Sequence, residues 1–272
     1  MTLQTTKTHV VIPDTQAKAG VPTDHLGWIG SYIVDQFRDQ DVSVIHLGDH
    51  WDMPSLSSYD KGRRAMEGRR YLEDIRAGNE AFAILNKPLR DLNAKRARHH
   101  EAQWRPDLHL LRGNHEDRIT RATEADAQLA GLMSMDQLES PGWQVHDFLD
   151  VPFIDGVGYS HYFANPMTGK PVGGMALTRL KSIGHSFTMG HQQILDYGIR
   201  FVAGQSQHAL IAGACYLHDE DYKGPQGNAH WRGVIVCHQV EGGSYDPMFV
   251  SLDYLCRRYE GKTLKRYTAK RF

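Results

Sequence analysis

His46-Leu47-Gly48-Asp49-His50-Trp51-Asp52 and Leu110-Leu111-Arg112-Gly113-Asn114-His115-Glu116 are the stretches of this chain richest in groups that bind cations or move protons. Each continues a short apolar run of the kind that forms a buried strand. Their Asp, Asn and His side chains therefore fall at the carboxyl ends of neighbouring strands, where open α/β sheets place their active sites. A Gly-Asp or Gly-Asn pair alone is an ordinary turn. Two such pairs, each after a strand and each carrying extra His or carboxylate, point instead to metal and proton-transfer chemistry.

The elements that must position these groups follow from the apolar spacing. Residues 8–13 (THVVIP) read as a first strand ending on Asp14-Thr15-Gln16. Thr23 or Asp24 can cap a helix whose stripe is Leu26, Ile29, Ile33 and Phe37, the spacing of one helical face. Residues 42–47 form a second strand, and strand, loop, helix, strand is a βαβ unit that favours a parallel sheet. Residues 63–98 read as a long basic helical region with Leu72, Ile75, Phe82, Leu85, Leu89 and Leu92 on one face. A third strand at 108–111 enters the Gly113-Asn114-His115-Glu116 turn, and a further helical stretch covers about 117–137. Beyond Pro141 short runs at 143–148, 151–154, 157–162, 184–189, 198–203, 208–213, 232–240 and 247–252 alternate with turn residues and read as strands. The expected class is α/β: a four-layer α/β/β/α sandwich of two packed mixed sheets with helices outside.

The chain has 272 residues, 40% hydrophobic and 23% charged, which fits a single soluble α/β domain over 1–272. No apolar run is long enough to span a membrane, and the polar start is unlike a secretory signal, so a cytoplasmic protein with no membrane partner is expected. Cys215, Cys237 and Cys256 are odd in number and widely spaced, which argues against a disulfide framework or thiolate zinc site and for buried fillers. Net charge is −1 but uneven: residues 61–98 hold eleven Lys or Arg against five acids, and 257–272 hold seven against one. The expectation is an acidic body with a basic helical segment at about 61–104 and a basic C-terminal tail at 257–272. Such segments suit phosphate contacts, although solvated helices give the same pattern.

Five pieces line up near strand ends: Asp14-Thr15-Gln16, Gly48-Asp49-His50-Trp51-Asp52, Gly113-Asn114-His115-Glu116, Ser160-His161 and Gly190-His191-Gln192-Gln193. In this order they resemble the calcineurin-like metallophosphoesterase superfamily, whose pattern is Asp-x-His, Gly-Asp-x-x-Asp, Gly-Asn-His-Asp/Glu, a lone His and Gly-His-x-His. The resemblance covers about residues 9–195 by motif. It implies that Asp49 bridges two divalent metal ions, one completed by Asn114, His161 and His191, the other by Asp14, Gln16 and Gln193. The chain departs from the pattern at 16 and 193, where Gln stands in place of His. Amide oxygens would make that site all-oxygen, suited to Mn²⁺ or Mg²⁺, while the imidazole-bearing site also suits Fe²⁺ or Zn²⁺. The alternative is a weakened first site and an enzyme working on one ion.

Two ions about 3.5–4 Å apart would activate a water for in-line attack on phosphorus. By the same resemblance His115 protonates the leaving oxygen and Asp52 fixes its tautomer; the plainer role for Asp52 is to cap its turn. Arg118 either reaches a phosphate or pairs with a nearby acid. Glu116 is expected to support the metal turn, and His50 and Trp51 to pack. His99, His100, His208 and His230 receive no role.

Leu111-Arg112-Gly113-Asn114-His115-Glu116 is similar to the Ser/Thr protein phosphatase version of the motif, but Met53 stands where those enzymes carry a phosphate-clamping Arg. Asp14-Thr15-Gln16 together with 48–62 and 113–119 is similar to a bacteriophage-encoded, exonuclease-like branch. The expected activity is therefore hydrolysis of phosphodiesters, with DNA, RNA or nucleotides as substrate. In the tail, Tyr259, Tyr267 and Phe272 would stack on bases. The alternatives are a phosphomonoesterase, or a catalytically weak, metal-stabilised protein that binds nucleic acid or another partner. Oligomeric state is left open.

Overall fold

A computed structural model describes residues 7–220 and 223–269. Most of the polar N-terminal stretch, and Phe272 in the basic tail, lie outside the described residues. Two mixed sheets pack face to face. The first has strands β1 (Lys7–Ile12), β2 (Val42–His46), β3 (Asp107–Leu111), β4 (Gln144–His146), β10 (Gly233–Glu241) and β11 (Ser244–Ser251), in the order β11-β10-β1-β2-β3-β4. The second has β5 (Phe153–Ile154), β6 (Val157–Ser160), β7 (Phe187–Met189), β8 (Leu195–Val202) and β9 (Gln205–Ala212), in the order β5-β6-β7-β9-β8. Strands β1 to β4 run parallel, as do β6, β7 and β9, so each sheet delivers several loops to the same rim.

Alternation along the strands builds the layers. Val10, Ile12 and Val44 face the helices α1 (Asp24–Phe37), α2 (Tyr71–Arg98) and α6 (Leu252–Glu260), in a core with Ile29, Phe82 and Leu255. Val11, Ile45 and Leu47 point the other way, into a core shared with Tyr159 and Leu210 of the second sheet. On that sheet's far face, Phe187, Met189 and Ile211 pack against Leu180 of α4 (Ala176–Ile183). Strands covered on both faces read as continuous apolar runs, which is how β1 and β2 stood out. The result is the expected α/β sandwich of two mixed sheets with helices outside.

Three expectations change. Only 71–98 of the basic region is α-helical; residues 58–70 form turns and one short 3-10 turn (Arg64–Met66) flanked by Gly62 and Gly68, whose φ values of 77° and 79° lie outside helical space. Leu72 leaves the predicted apolar face and is 69% exposed: its neighbour Tyr71 packs on the core, and one step around the helix turns Leu72 away from it. The stretch expected as helix at 117–137 is helical only in α3 (Arg118–Ala125); Asp126 turns extended and its side chain caps a separate short turn through the Gln128 N–H. All three cysteines are buried, and no described helix is long and apolar enough to cross a membrane.

Candidate metal centre

Five loops meet at the strand carboxyl ends. Asp14 follows β1, Asp49 and Asp52 follow β2, Asn114 and His115 follow β3, His161 follows β6 and His191 follows β7. Two glycines permit the approach. A Cβ on Gly113 would lie 2.1 Å from Asp49 Oδ1, and one on Gly190 would lie 2.4 Å from Asp14 Oδ1. Gln16, Asp49, Met53, His191 and Gln193 all hold positive φ, between 41° and 68°. Left-handed backbone at a non-glycine residue costs on the order of 1–3 kcal/mol and tends to gather at functional sites.

Asp49, His161 and His191 are brought close enough to hold one metal ion, each offering a ligand atom within 4.8 Å of the others. His161 Nδ1 lies 2.8 Å from the Leu47 carbonyl, which fixes the ring proton there and leaves a lone pair on Nε2. That atom is 2.9 Å from Asn114 Oδ1 and 3.3 Å from Asp49 Oδ2. His191 Nδ1 is 2.7 Å from the same Asn114 oxygen. With no ion present, ring protons on His161 and His191 can meet the Asn114 oxygen; with those protons displaced, a carboxylate, an amide oxygen and two imidazoles form a donor set that fits a divalent cation. The charge balance appears in the protonation behaviour. Burial opposes an imidazolium at His161, yet Asp49, Asp14 and the Leu47 carbonyl push it up to about 10. Burial likewise opposes the Asp49 anion, but His115 and His161 hold that carboxyl well below the ordinary range. Burial, with His161 adding to it, pushes His191 down to about 4, so its ring is a neutral ligand at pH 7.

The Asp49 loop is strapped from beneath by Glu116. Its Oε1 accepts the N–H groups of His50 (2.6 Å) and Trp51 (3.0 Å), and its Oε2 those of Asp49 (3.0 Å) and Gly113 (2.8 Å). Burial and the Asp49 charge push the Glu116 carboxyl up to about 7. With each oxygen facing two donors, only the anion satisfies the geometry. Trp51 is 1% exposed and stacks on Phe82 with centroids 5.5 Å apart, while His50 bonds Thr15 and the Gly78 carbonyl.

His115 Nδ1 is 2.7 Å from Asp52 Oδ1, and Asp52 Oδ2 is 2.9 Å from Lys18 Nζ. Lys18 is also 2.9 Å from Glu220 Oε1, which in turn meets His218 Nε2 at 2.8 Å. Burial works against the Asp52 charge, but His115 and Lys18 hold its carboxyl below the ordinary range. At His115 burial is outweighed by Asp49 and Asp52, which raise the ring's pKa. Arg118 lines the cleft and forms no ion pair with an acid among the described residues. It donates to the carbonyls of Asp52 (2.8 Å) and Met53 (3.2 Å) and to His115 Nε2 (3.1 Å), holding the turn and the ring.

The other expected ligand group is only partly assembled. Asp14 is fully buried, Oδ1 accepts the His191 N–H at 3.0 Å, and Oδ2 has no hydrogen-bond partner among the described residues; burial pushes its carboxyl up to about 6. Gln16 donates its backbone N–H to the Asp49 carbonyl at 2.9 Å and is among the residues that line the cleft. Gln193 Oε1 is turned to Tyr216, whose hydroxyl donates at 2.9 Å, and to the Lys223 ammonium. Lys18, Tyr216, Glu220 and Lys223 were not anticipated. Lys18 stands two residues beyond Gln16, but the others come from the loop after β9, which carries no motif.

These groups open onto a cleft of about 2260 Å³ that Arg63, Arg69, Arg70 and Lys265 also line. Parts of both basic segments therefore face the site. The tail tyrosines do not serve as expected: Tyr267 is buried edge-on against Trp28, and the Tyr259 hydroxyl donates to Asp35 of α1 at 2.9 Å. Comparison with protein-family models and with curated proteins finds no match to this chain.

Proposed function

We propose that the protein is a metal-dependent phosphoesterase that hydrolyses phosphodiester bonds in a nucleic acid or nucleotide. The observation that carries this is the meeting of Asp49, Asn114, His161 and His191 beside the His115–Asp52 pair at one end of a cleft lined by both basic and acidic side chains. A divalent cation on those four residues, Mn²⁺ best matching their mixed oxygen and nitrogen donors, would supply Lewis-acid charge to a phosphate oxygen and acidify a water.

The chain's own groups account for the rest. Asp52 accepts from His115 Nδ1 and so turns Nε2 toward the cleft, 3.6 Å from Asp49 Oδ2. Asp49 and Asp52 raise the pKa of the ring, which favours its taking up a second proton, at Nε2, for transfer to a leaving oxygen. That transfer requires the Arg118 guanidinium, now donating to Nε2, to turn aside. His115 and Lys18 keep Asp52 ionised, and Arg63, Arg70 and Lys265 stand on the cleft as phosphate contacts, while Arg69 is paired with Asp60. A metal held only for structure would need neither His115 nor Asp52. Met53 is fully buried and offers no phosphate clamp, which favours diesters over phosphoproteins. The Asp14, Gln16 and Gln193 group does not fit a second ion as it stands, because the Gln193 oxygen already accepts from Lys223 and Tyr216.

The test is hydrolysis of bis-p-nitrophenyl phosphate and of labelled single- and double-stranded DNA with Mn²⁺, against an Asp49→Ala control. Mn²⁺-dependent cleavage lost in the variant is expected. Activity that survives the substitution refutes the site, and DNA binding without turnover identifies a binding protein instead.

A further inference from the structure

We propose that the Lys223 ammonium takes the place of a second metal ion, so that the site works with one divalent cation and one fixed lysine charge. The inference rests on the function proposed above and concerns the end of the cleft formed by Asp14, Gln16 and Gln193. There Gln193 is 6% exposed and Tyr216 fully buried. The Gln193 Oε1 atom accepts from the Tyr216 hydroxyl and from Lys223, and Lys223 also donates to the Tyr216 oxygen at 3.0 Å. An amide oxygen has two lone pairs, and both are taken. It has none to give a metal ion. A dication there would also lie next to an ammonium, with no thiolate or imidazole to draw it in.

The residue types agree with this placement. An imidazole at position 193 would offer a cation one nitrogen; the glutamine offers a lysine an acceptor. Burial, Arg232 and Lys18 oppose the Lys223 ammonium, while Glu220 and Asp14 favour it, as they would a bound cation. Lys223 lines the same cleft as Asp49, His115 and His191. From there it can donate to a phosphate oxygen, supplying charge without the coordination geometry a second ion would impose.

The experiment titrates metal-free protein with Mn²⁺ and follows stoichiometry and spin coupling by electron paramagnetic resonance, then measures inorganic phosphate binding to the Mn²⁺-loaded protein by calorimetry. One ion per chain with the spectrum of an isolated ion is expected. Lys223→Ala should keep that ion yet bind phosphate about 10- to 100-fold more weakly, the range of one charge-assisted hydrogen bond. Lys223→Arg, which keeps the charge, should lose much less. Two exchange-coupled ions in the unsubstituted protein, or unchanged phosphate affinity in Lys223→Ala, would overturn the inference while leaving the proposed function standing. Failure of the unsubstituted protein to bind any Mn²⁺ would remove both.

Discussion

Glu116 offers the sharpest test of how the metal loop is held, because one atom's change alters a counted set of bonds. In Glu116→Gln an NH₂ group replaces one carboxylate oxygen, and each of those oxygens accepts two backbone N–H groups at 2.6–3.0 Å. Two bonds are lost and their donors face another donor in a place that is 1% exposed, so water cannot replace the acceptor. A hydrogen bond to a charged group contributes about 1.5–3 kcal/mol, so the loss should be about 3–6 kcal/mol. The two surviving bonds also weaken as they change from charged to neutral. Against a typical folding stability of about 5–15 kcal/mol this is a large fraction. Urea unfolding in the presence of a chelator measures it without contribution from bound metal. The variant should show a much lower midpoint with an unchanged slope and, separately, weaker Mn²⁺ retention, because the strapped segment carries Asp49. A loss below about 1 kcal/mol would refute the claim that the Glu116 anion fixes this loop.

Three other substitutions test separate parts. His115→Ala should lower turnover of a phosphodiester by about 10²–10⁴-fold with metal content intact; if bound Mn²⁺ disappears instead, His115 is a ligand and not an acid. Burial pushes His25 down to about 3, and it is 1% exposed with Nε2 bonded to the Cys215 carbonyl at 2.9 Å. Its folded pKa thus lies below the unfolded value of about 6.5, so its contribution is full above pH 6.5 and is lost as pH falls toward 3, at about 1.4 kcal/mol per unit. Urea unfolding at pH 7 and pH 4.5 should show His25→Gln losing about 2–3 kcal/mol less over that interval than the unsubstituted chain, and equal losses would contradict it. Gly78→Ala would place a Cβ 1.8 Å from Trp51 Cδ1, and Trp51 is pinned between Phe82 and its bond to Asn79. Overpacking of about 1–3 kcal/mol should lower the thermal midpoint, whereas an unchanged midpoint would mean that α2 shifts freely.

Much of the framework was legible because it depends on near neighbours. Val10–Ile12 and Val42–Ile45 stood out as strands, and the stripe Leu26, Ile29, Ile33 and Phe37 as a helix, since all of them bury the faces their spacing predicts. Where local spacing misled, something other than periodicity decided. Gly62 and Gly68 broke the start of the long basic helix, and the Asp126 cap ended α3 early. Leu72 stands three residues before Ile75 but one step around the helix from Tyr71, the residue the core claims there. Tyr267 looked available for stacking because sequence does not say which side of a short helix a protein core will claim.

The sequence by itself determined which residues arrive at the strand ends: Asp14, Asp49, Asn114, His161 and His191 are each tied to a strand–turn step that local chemistry encodes. Only the tertiary structure decided what those residues touch. Asp52 is shared between His115 and Lys18, Arg118 is spent on carbonyls and His115, and Gln193 is turned to Lys223 and Tyr216. Lys18 and Glu220 are 202 residues apart, and Gln193 and Lys223 are 30 apart. Contacts of that kind are set by how two sheets pack and how their loops fold over the shared rim, and no local pattern in the chain records that packing.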